Sequence, residues 1–487
     1  MTADFLLHTK CGPLVGVTSD TVGIFKNIPY AHPPVGERRF KPPQKLEPWP
    51  GTRDAKAFGA APMQLEVPMV GKIGPMSEDC LTLNIWAPKT PGPHPVMFWI
   101  FGGANILGSA SQPIYDGTYY AENGIVFVSV NYRLGVLGCL ELGTIIPELA
   151  GSSLNGLRDL VAALEWVHDN IGSFGGDPAM VTIMGQSAGA KNVCALMAIP
   201  AVQGLFHRAV VQSGGGHTVY VSSDESAPVA NAFLAAADLT NESADQLVTL
   251  PIDALMAAQG KLLQSFPKGF LFRPTVDGSF LPRRPIDAVR AGASRNVALL
   301  IGTCRDEAIT LFQGPPELPF EGRQIANISL GEMQAMDALY GKAFPQLGTA
   351  EWHINVLTAE EYWVPSVEFA QAHAATGGNT YMYRFDHKSV SGRLTGYAGH
   401  GADLSYTWSP LSADPFLQFF GAVNEALRQK MLAMWCSWIK TGAAEIADVP
   451  HWNPYEAVSR WTMRLDQKCE MIADPVREER NLWNGVL

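Results

Sequence analysis

The nine residues Val181–Gly189, VTIMGQSAG, decide how this chain reads. The apolar and β-branched run VTIM suits a buried strand. It enters Gly185-Gln186-Ser187-Ala188-Gly189 without a linker, and Lys191 to Ile199 then reads as a helix. A G-x-S-x-G between strand and helix is the context in which a serine stands exposed on a sharp turn above a sheet. The turn is too tight for side chains at its two glycine positions. The N–H groups of Ser187 and Ala188 are expected at the helix N-terminus, where negative charge is favoured. The pentapeptide alone is also compatible with an ordinary Gly/Ser turn, so its flanks carry the reading.

Working outward, Val96–Ile100 (VMFWI) is another continuous apolar run, and Phe101-Gly102-Gly103-Ala104-Asn105 follows it. Small residues there let backbone N–H groups approach a ligand closely. Further strands are expected at Ile125–Val130, Ala209–Gln212, Val297–Ile301 and Tyr381–Phe385. Between them, Leu157, Leu160, Val161, Leu164, Val167 and Ile171 recur at three- and four-residue spacing and place an apolar stripe on a helix. Alternating strands and amphipathic helices imply an α/β fold with a large, mostly parallel central sheet flanked by helices. The Ala-rich stretch 222–265 reads as a helical insertion over the sheet edge, and 313–378 as a further one, within a single catalytic domain spanning 1–487.

Of 487 residues, 47% are hydrophobic and 17% charged, which fits a globular chain with a large core. The net charge of -11 repels phosphate backbones and argues against nucleic-acid binding. The seven cysteines are scattered, odd in number and without a CxxC, which disfavours a disulfide framework or zinc site. No basic-then-apolar leader opens the chain, and no 18-residue apolar run offers a membrane span. A cytoplasmic protein is therefore expected, without metal or cofactor, as a monomer or alternatively a homodimer.

The chain resembles the type-B carboxylesterases, the family of bacterial para-nitrobenzyl esterases and animal cholinesterases. The resemblance covers nearly the whole sequence. It rests on IFKNIPYAHPPVGERRFKPP at 24–43, on Ser77-Glu78-Asp79-Cys80-Leu81, and on Leu83-Asn84-Ile85-Trp86. Asn131-Tyr132-Arg133-Leu134-Gly135 and Phe174-Gly175-Gly176-Asp177-Pro178 extend it. It implies the α/β-hydrolase fold and a triad of Ser187, Glu307 (from Arg305-Asp306-Glu307) and His400 (from His400-Gly401-Ala402-Asp403), in the chain order of that fold. Asp306 is expected to be a solvated loop residue. The loop after VMFWI is similar to the family's HGGG-type oxyanion loop, with Phe101 for the usual His and Ala104 for the third Gly. Gly103, Ala104 and Ala188 would then supply the oxyanion N–H donors. Ser213 matches a serine supporting the triad, and Gln186 stands where relatives often carry Glu. Arg39 with Glu78, and Arg133 with Asp159, match buried ion pairs, while Cys80 lacks its secreted-family partner.

The activity so implied is hydrolysis of small neutral carboxylic esters. Ser187 attacks, His400 takes the proton and gives it to the leaving alcohol, and Glu307 orients the imidazole. The same residues could serve carbamates, amides or thioesters. Catalytically silent binding proteins also exist on this fold, but they lose triad members, and this chain keeps all three. The cation-binding aromatics of cholinesterases fall at Val70, Thr310 and Leu311 here, which predicts weak attraction for choline esters. Phe312 and Phe101 are the aromatics that could fill the same space. Short acyl chains are expected, with room for bulky alcohols beside a GGA-type loop.

Overall fold

The structure is a computed structural model and describes residues 3–67, 73–312, 314–408 and 419–487. Val70 lies outside these residues. Among the described residues the main sheet has 13 strands. Twelve of them follow one path: β1 (Ala3–Thr9), β2 (Gly12–Thr18), β3 (Val22–Pro29), β4 (Thr82–Pro88), β5 (His94–Ile100), β6 (Val126–Val130), β7 (Gly176–Gln186), β8 (Arg208–Gln212), β9 (Ala298–Cys304), β10 (Thr380–Phe385), β11 (Trp461–Leu465) and β12 (Glu470–Ala473). Their spatial order is β1-β2-β3-β4-β6-β5-β7-β8-β9-β10-β11-β12. From β6 through β11 every neighbour is parallel, whereas the outer pairings are antiparallel. The sequence explains the contrast. The central strands carry buried residues on both faces, as parallel strands covered by helices must. In β2, buried and half-buried positions mix, as expected where one face meets solvent.

All six strands expected from apolar runs are present; Ile125–Val130 begins at Val126, Val297–Ile301 is shifted to Ala298–Cys304, and the other four are extended by one or more residues. The stripe from Leu157 to Val167 lies on helix α1 (Asn155–Asn170), with Leu160, Val161, Leu164 and Val167 buried, and Ile171 follows in the 3-10 turn that ends it. The helix after the elbow, α2, spans Ala188–Leu196 rather than beginning at Lys191. It starts as soon as the turn is complete, because the serine itself occupies the N-cap position.

Between β8 and β9, helices α3 (Ser223–Ala236) and α4 (Ile252–Ser265) build a second hydrophobic cluster. Phe233, Leu247, Leu255 and Leu262 meet Phe40, Leu137 and Phe272 there. Within 313–378 lie α5 (Leu330–Ala343), α6 (Thr349–Thr358), a π-helical turn at Ala359–Trp363 and α7 (Val364–Ala375).

Both ion pairs expected from the resemblance are formed. Arg133 and Asp159 are bidentate at 2.8 and 2.7 Å, and the side chains are almost fully buried. Arg39 and Glu78 are bidentate at 2.6 Å. Arg39 Nη1 also donates to the carbonyls of Val248 and Leu250, which ties the N-terminal block to the α3–α4 layer. All seven cysteines are unpaired, and burial pushes the Cys194 and Cys436 thiols up to about 12.

Candidate active site

Ser187 sits at the end of β7 with φ 57° and ψ -126°, a conformation a non-glycine residue holds only when its surroundings dictate it. The dictating contacts are local. A Cβ on Gly185 would lie 2.5 Å from the backbone of Gly189, and one on Gly189 would lie 2.1 Å from the Ile100 carbonyl oxygen. Both glycines are therefore required by close backbone approach. Ser187 caps the start of α2 as expected, but its N–H is not free for a ligand, because it donates to the Gln212 carbonyl at 2.9 Å. That bond continues the β7–β8 ladder past its last residue pair, Gln186 opposite Gln212.

His400 and Glu307 come together although 93 residues separate them. His400 Nδ1 lies 2.5 Å from Glu307 Oε2, and Glu307 is fully buried. The other carboxylate oxygen accepts the Cys304 N–H at 2.7 Å, which fixes the carboxylate plane. Tyr362, from the π-helical turn, covers one side of the imidazole with ring centroids 4.7 Å apart. His400 Nε2 faces Gln186 Nε2 at 3.2 Å rather than the Ser187 hydroxyl. Ser187 and His400 nonetheless line the same cavity.

Asp306 departs from expectation. It is buried, its Oδ2 accepts the Ala398 N–H at 2.9 Å, and its own N–H donates to the Ala398 carbonyl. It thus pins the segment that delivers His400, and burial raises its carboxyl pKa above the usual range. Asp403 is a second buried acid. It accepts from Tyr383 Oη at 2.9 Å and Gln212 Nε2 at 3.0 Å. Burial first, and the Glu307 charge next, push it up to about 6. Ser213 is fully buried at φ 58°, donates its N–H to the Gly302 carbonyl, and its hydroxyl has no partner among the described residues.

The Gly102–Asn105 turn lies against the elbow. A Cβ on Gly102 would come within 2.6 Å of the Gln186 carbonyl oxygen and 3.0 Å of Ser187 Cβ. Gly103 has φ 117°, and Ala104 and Asn105 are left-handed at 54° and 57°. Asn105 is held by hydrogen bonds to Phe272 and Asn192. Among the described residues the N–H groups of Gly103, Ala104 and Ala188 donate to no protein acceptor.

Two chambers meet at Ser187. The larger, about 470 Å³, contains His400 and is walled by Ile309, Thr310, Leu311, Phe312 and Leu394, with further aromatics including Tyr115 and Phe420. Phe101 takes no part; it is buried and stacked on Tyr132 at 4.6 Å. No carboxylate lines this chamber among the described residues, and Arg393 does. The smaller chamber, about 40 Å³, lies beside Ala188 and lacks His400. Lys191 and Arg273 border it, and Phe270 borders both. Sequence reasoning did not find Tyr362, Lys191 or Arg273, which no motif marks.

Comparison with known proteins identifies the family. The model of the carboxylesterase family matches residues 3–342 and 346–483. The para-nitrobenzyl esterase of Bacillus subtilis (strain 168) is 34% identical over 98% of this chain and 97% of its own. The fumonisin B1 esterase of Sphingopyxis macrogoltabida is 32% identical over 92% of this chain and 84% of its own. Among solved structures, a thermophilic para-nitrobenzyl esterase superposes with a TM-score of 0.87 at 32% identity, and a Geobacillus stearothermophilus carboxylesterase with 0.86 at 33%. In each case 98% of this chain and 99% of the other are covered. The chain belongs to the carboxylesterase family. It is a carboxylic ester hydrolase of the α/β-hydrolase fold.

Proposed function

We propose that this enzyme cleaves small esters through an acyl-enzyme on Ser187, with His400 as base and Glu307 as its orienting acid. The observation that carries the reading is the placement of His400: its Nδ1 is held by a fully buried carboxylate while the ring shares a cavity with the half-buried serine. In the resting geometry the Gln186 amide occupies Nε2. Hydrogen bonds between base and nucleophile commonly tighten only when substrate is bound. Ser187 Oγ then attacks the carbonyl carbon and His400 Nε2 takes its proton. The Gly103, Ala104 and Ala188 N–H groups, which have no protein acceptor, stabilise the oxyanion. His400 protonates the departing alcohol, so the alcohol lies in the larger chamber and the acyl group in the smaller. Water repeats the cycle and frees the acid. Gln186, beside His400 Nε2, and the buried Ser213 support these groups.

We read the chain as one catalytic domain over 1–487, with 222–265 and 313–378 as insertions around the chambers. Seven unpaired cysteines favour a reducing, cytoplasmic setting. We read the protein as a monomer. Among the described residues no helix is long and apolar enough to cross a membrane. The central test is Ser187→Ala together with a fluorophosphonate label. Ester turnover should fall by about 10⁶, as in another triad enzyme, and mass spectrometry should find the label on Ser187 in the unmutated protein. A label on any other serine removes the proposal.

A further inference from the structure

We infer that the smaller chamber accepts an acyl group bearing a free carboxylate, and that Arg273 binds it. The favoured substrates are then half-esters of short dicarboxylic acids. The inference rests on the esterase reading, since that reading assigns the acyl group to this chamber.

Arg273 is only 4% exposed, yet among the described residues no carboxylate lies within 4 Å of its guanidinium. Burying a charge without an opposite charge is costly, and proteins normally pair it. Here Nε donates to the Phe270 carbonyl at 2.5 Å and Nη2 to the Ala326 carbonyl at 2.7 Å. These bonds hold the group in place through neutral acceptors, without an ion pair. The Tyr220 ring, 5.6 Å away, adds a weak cation–π contact. Nη1 has no acceptor among the described residues, and the residue borders the cavity.

The acids nearby are already committed. Glu360 accepts the N–H groups of Ala326, Asn327 and Ile328. Glu361 is ion-paired with Lys191, and Glu225 accepts the Val221 N–H. Arg273 thus presents a fixed positive charge, with no direct carboxylate contact among the described residues, to a cavity that begins at the nucleophile. A guanidinium suits a carboxylate better than a point charge does, because its N–H groups match the two oxygens in one plane.

Size sets the chain length. A cavity of about 40 Å³ holds roughly three water-sized groups at about 10–15 Å³ each. That fits an acyl chain of the malonyl or succinyl kind. The reaction balances as an ordinary hydrolysis. Ser187 Oγ bonds to the ester carbonyl carbon, the alcohol leaves with the proton from His400, and water then releases the dicarboxylate.

The test compares kcat/KM for monoethyl succinate, ethyl butyrate and diethyl succinate, followed by proton release at pH 7.5, with Ser187→Ala as the blank. The wild-type enzyme should favour monoethyl succinate over both neutral esters by about tenfold or more, the contribution of one hydrogen bond to a charged group. Arg273→Met should lower the ratio of monoethyl succinate to ethyl butyrate by a similar factor, and Arg273→Lys should restore part of it. Wild-type preference for the neutral esters overturns the inference, and this outcome needs no variant to fold. A preference that survives Arg273→Met also overturns it. If none of the three esters turns over above the blank, the esterase reading itself fails instead.

Discussion

Replacing Glu307 by Gln tests the heart of the site while adding no bulk. The structure dictates how the amide must sit. One carboxylate oxygen of Glu307 receives the Cys304 N–H at 2.7 Å, so the amide oxygen must take that place; an NH₂ there would face another donor. The NH₂ is then left opposite His400 Nδ1, where the carboxylate now accepts at 2.5 Å. To accept from it, Nδ1 must lose its proton, and the proton moves to Nε2. The imidazole then presents a donor to Ser187 where a base is required. Glu307 is fully buried, so water cannot restore the carboxylate's role. The same exchange in a serine protease lowers kcat by about 10⁴, or about 5.5 kcal/mol at 1.36 kcal/mol per decade. The expected loss here is of that order, measured as kcat on para-nitrophenyl acetate at saturation, with near-UV circular dichroism confirming the fold. A kcat within about tenfold of wild type would falsify the orienting role of Glu307.

Other perturbations address the scaffold and the chambers. Arg133→Leu strands Asp159 without its partner in the core and should cost about 3–5 kcal/mol; a urea midpoint close to wild type would contradict the importance of that pair. A choline ester should be hydrolysed with a lower kcat/KM than its tert-butyl carbon isostere, because among the described residues no carboxylate lines the larger chamber and Arg393 does. Gln186→Glu should shift that ratio toward the cation, and an unchanged ratio would place the alcohol elsewhere. Burial and then the Glu361 charge raise Glu360 from 4.5 to about 7. Its contribution to stability is present below about pH 4.5 and is lost as pH rises through about 7. Stability of the wild type relative to Glu360→Gln should therefore fall by up to about 3 kcal/mol between pH 5 and 8; a difference independent of pH in urea melts rules this out.

What could be read from the sequence follows from where the cause of each feature lies. The elbow was legible because its glycines are required by backbone contacts within a few residues or one strand away. The central strands were legible because burial on both faces leaves no room for polar alternation. The α2 boundary was not, since Gly189 is a poor helix former and tertiary contact with Ile100 overrides that preference. Glu307 and His400 were found through the resemblance alone; no local pattern separates His400 from the other histidines. Asp306 was misread because a charge in a loop is usually solvated, and only the fold reveals that Ala398 closes over it. Arg273 and Tyr362 come from segments far from the elbow in sequence, so their convergence on Ser187 and His400 is a property of the fold.

The Arg39 fork has a consequence for recombination between relatives. Its receptors in the α3–α4 layer are two main-chain carbonyls, Val248 and Leu250, and its other receptor, Glu78, lies outside that layer. A peptide carbonyl is offered by every amino acid. The seam therefore demands a chain path and is indifferent to the residues that follow it. A chimera could take this helical layer from another family member with a different sequence, provided the turn before α4 keeps its course. Diversity in that layer can accumulate while the joint that anchors it stays constant.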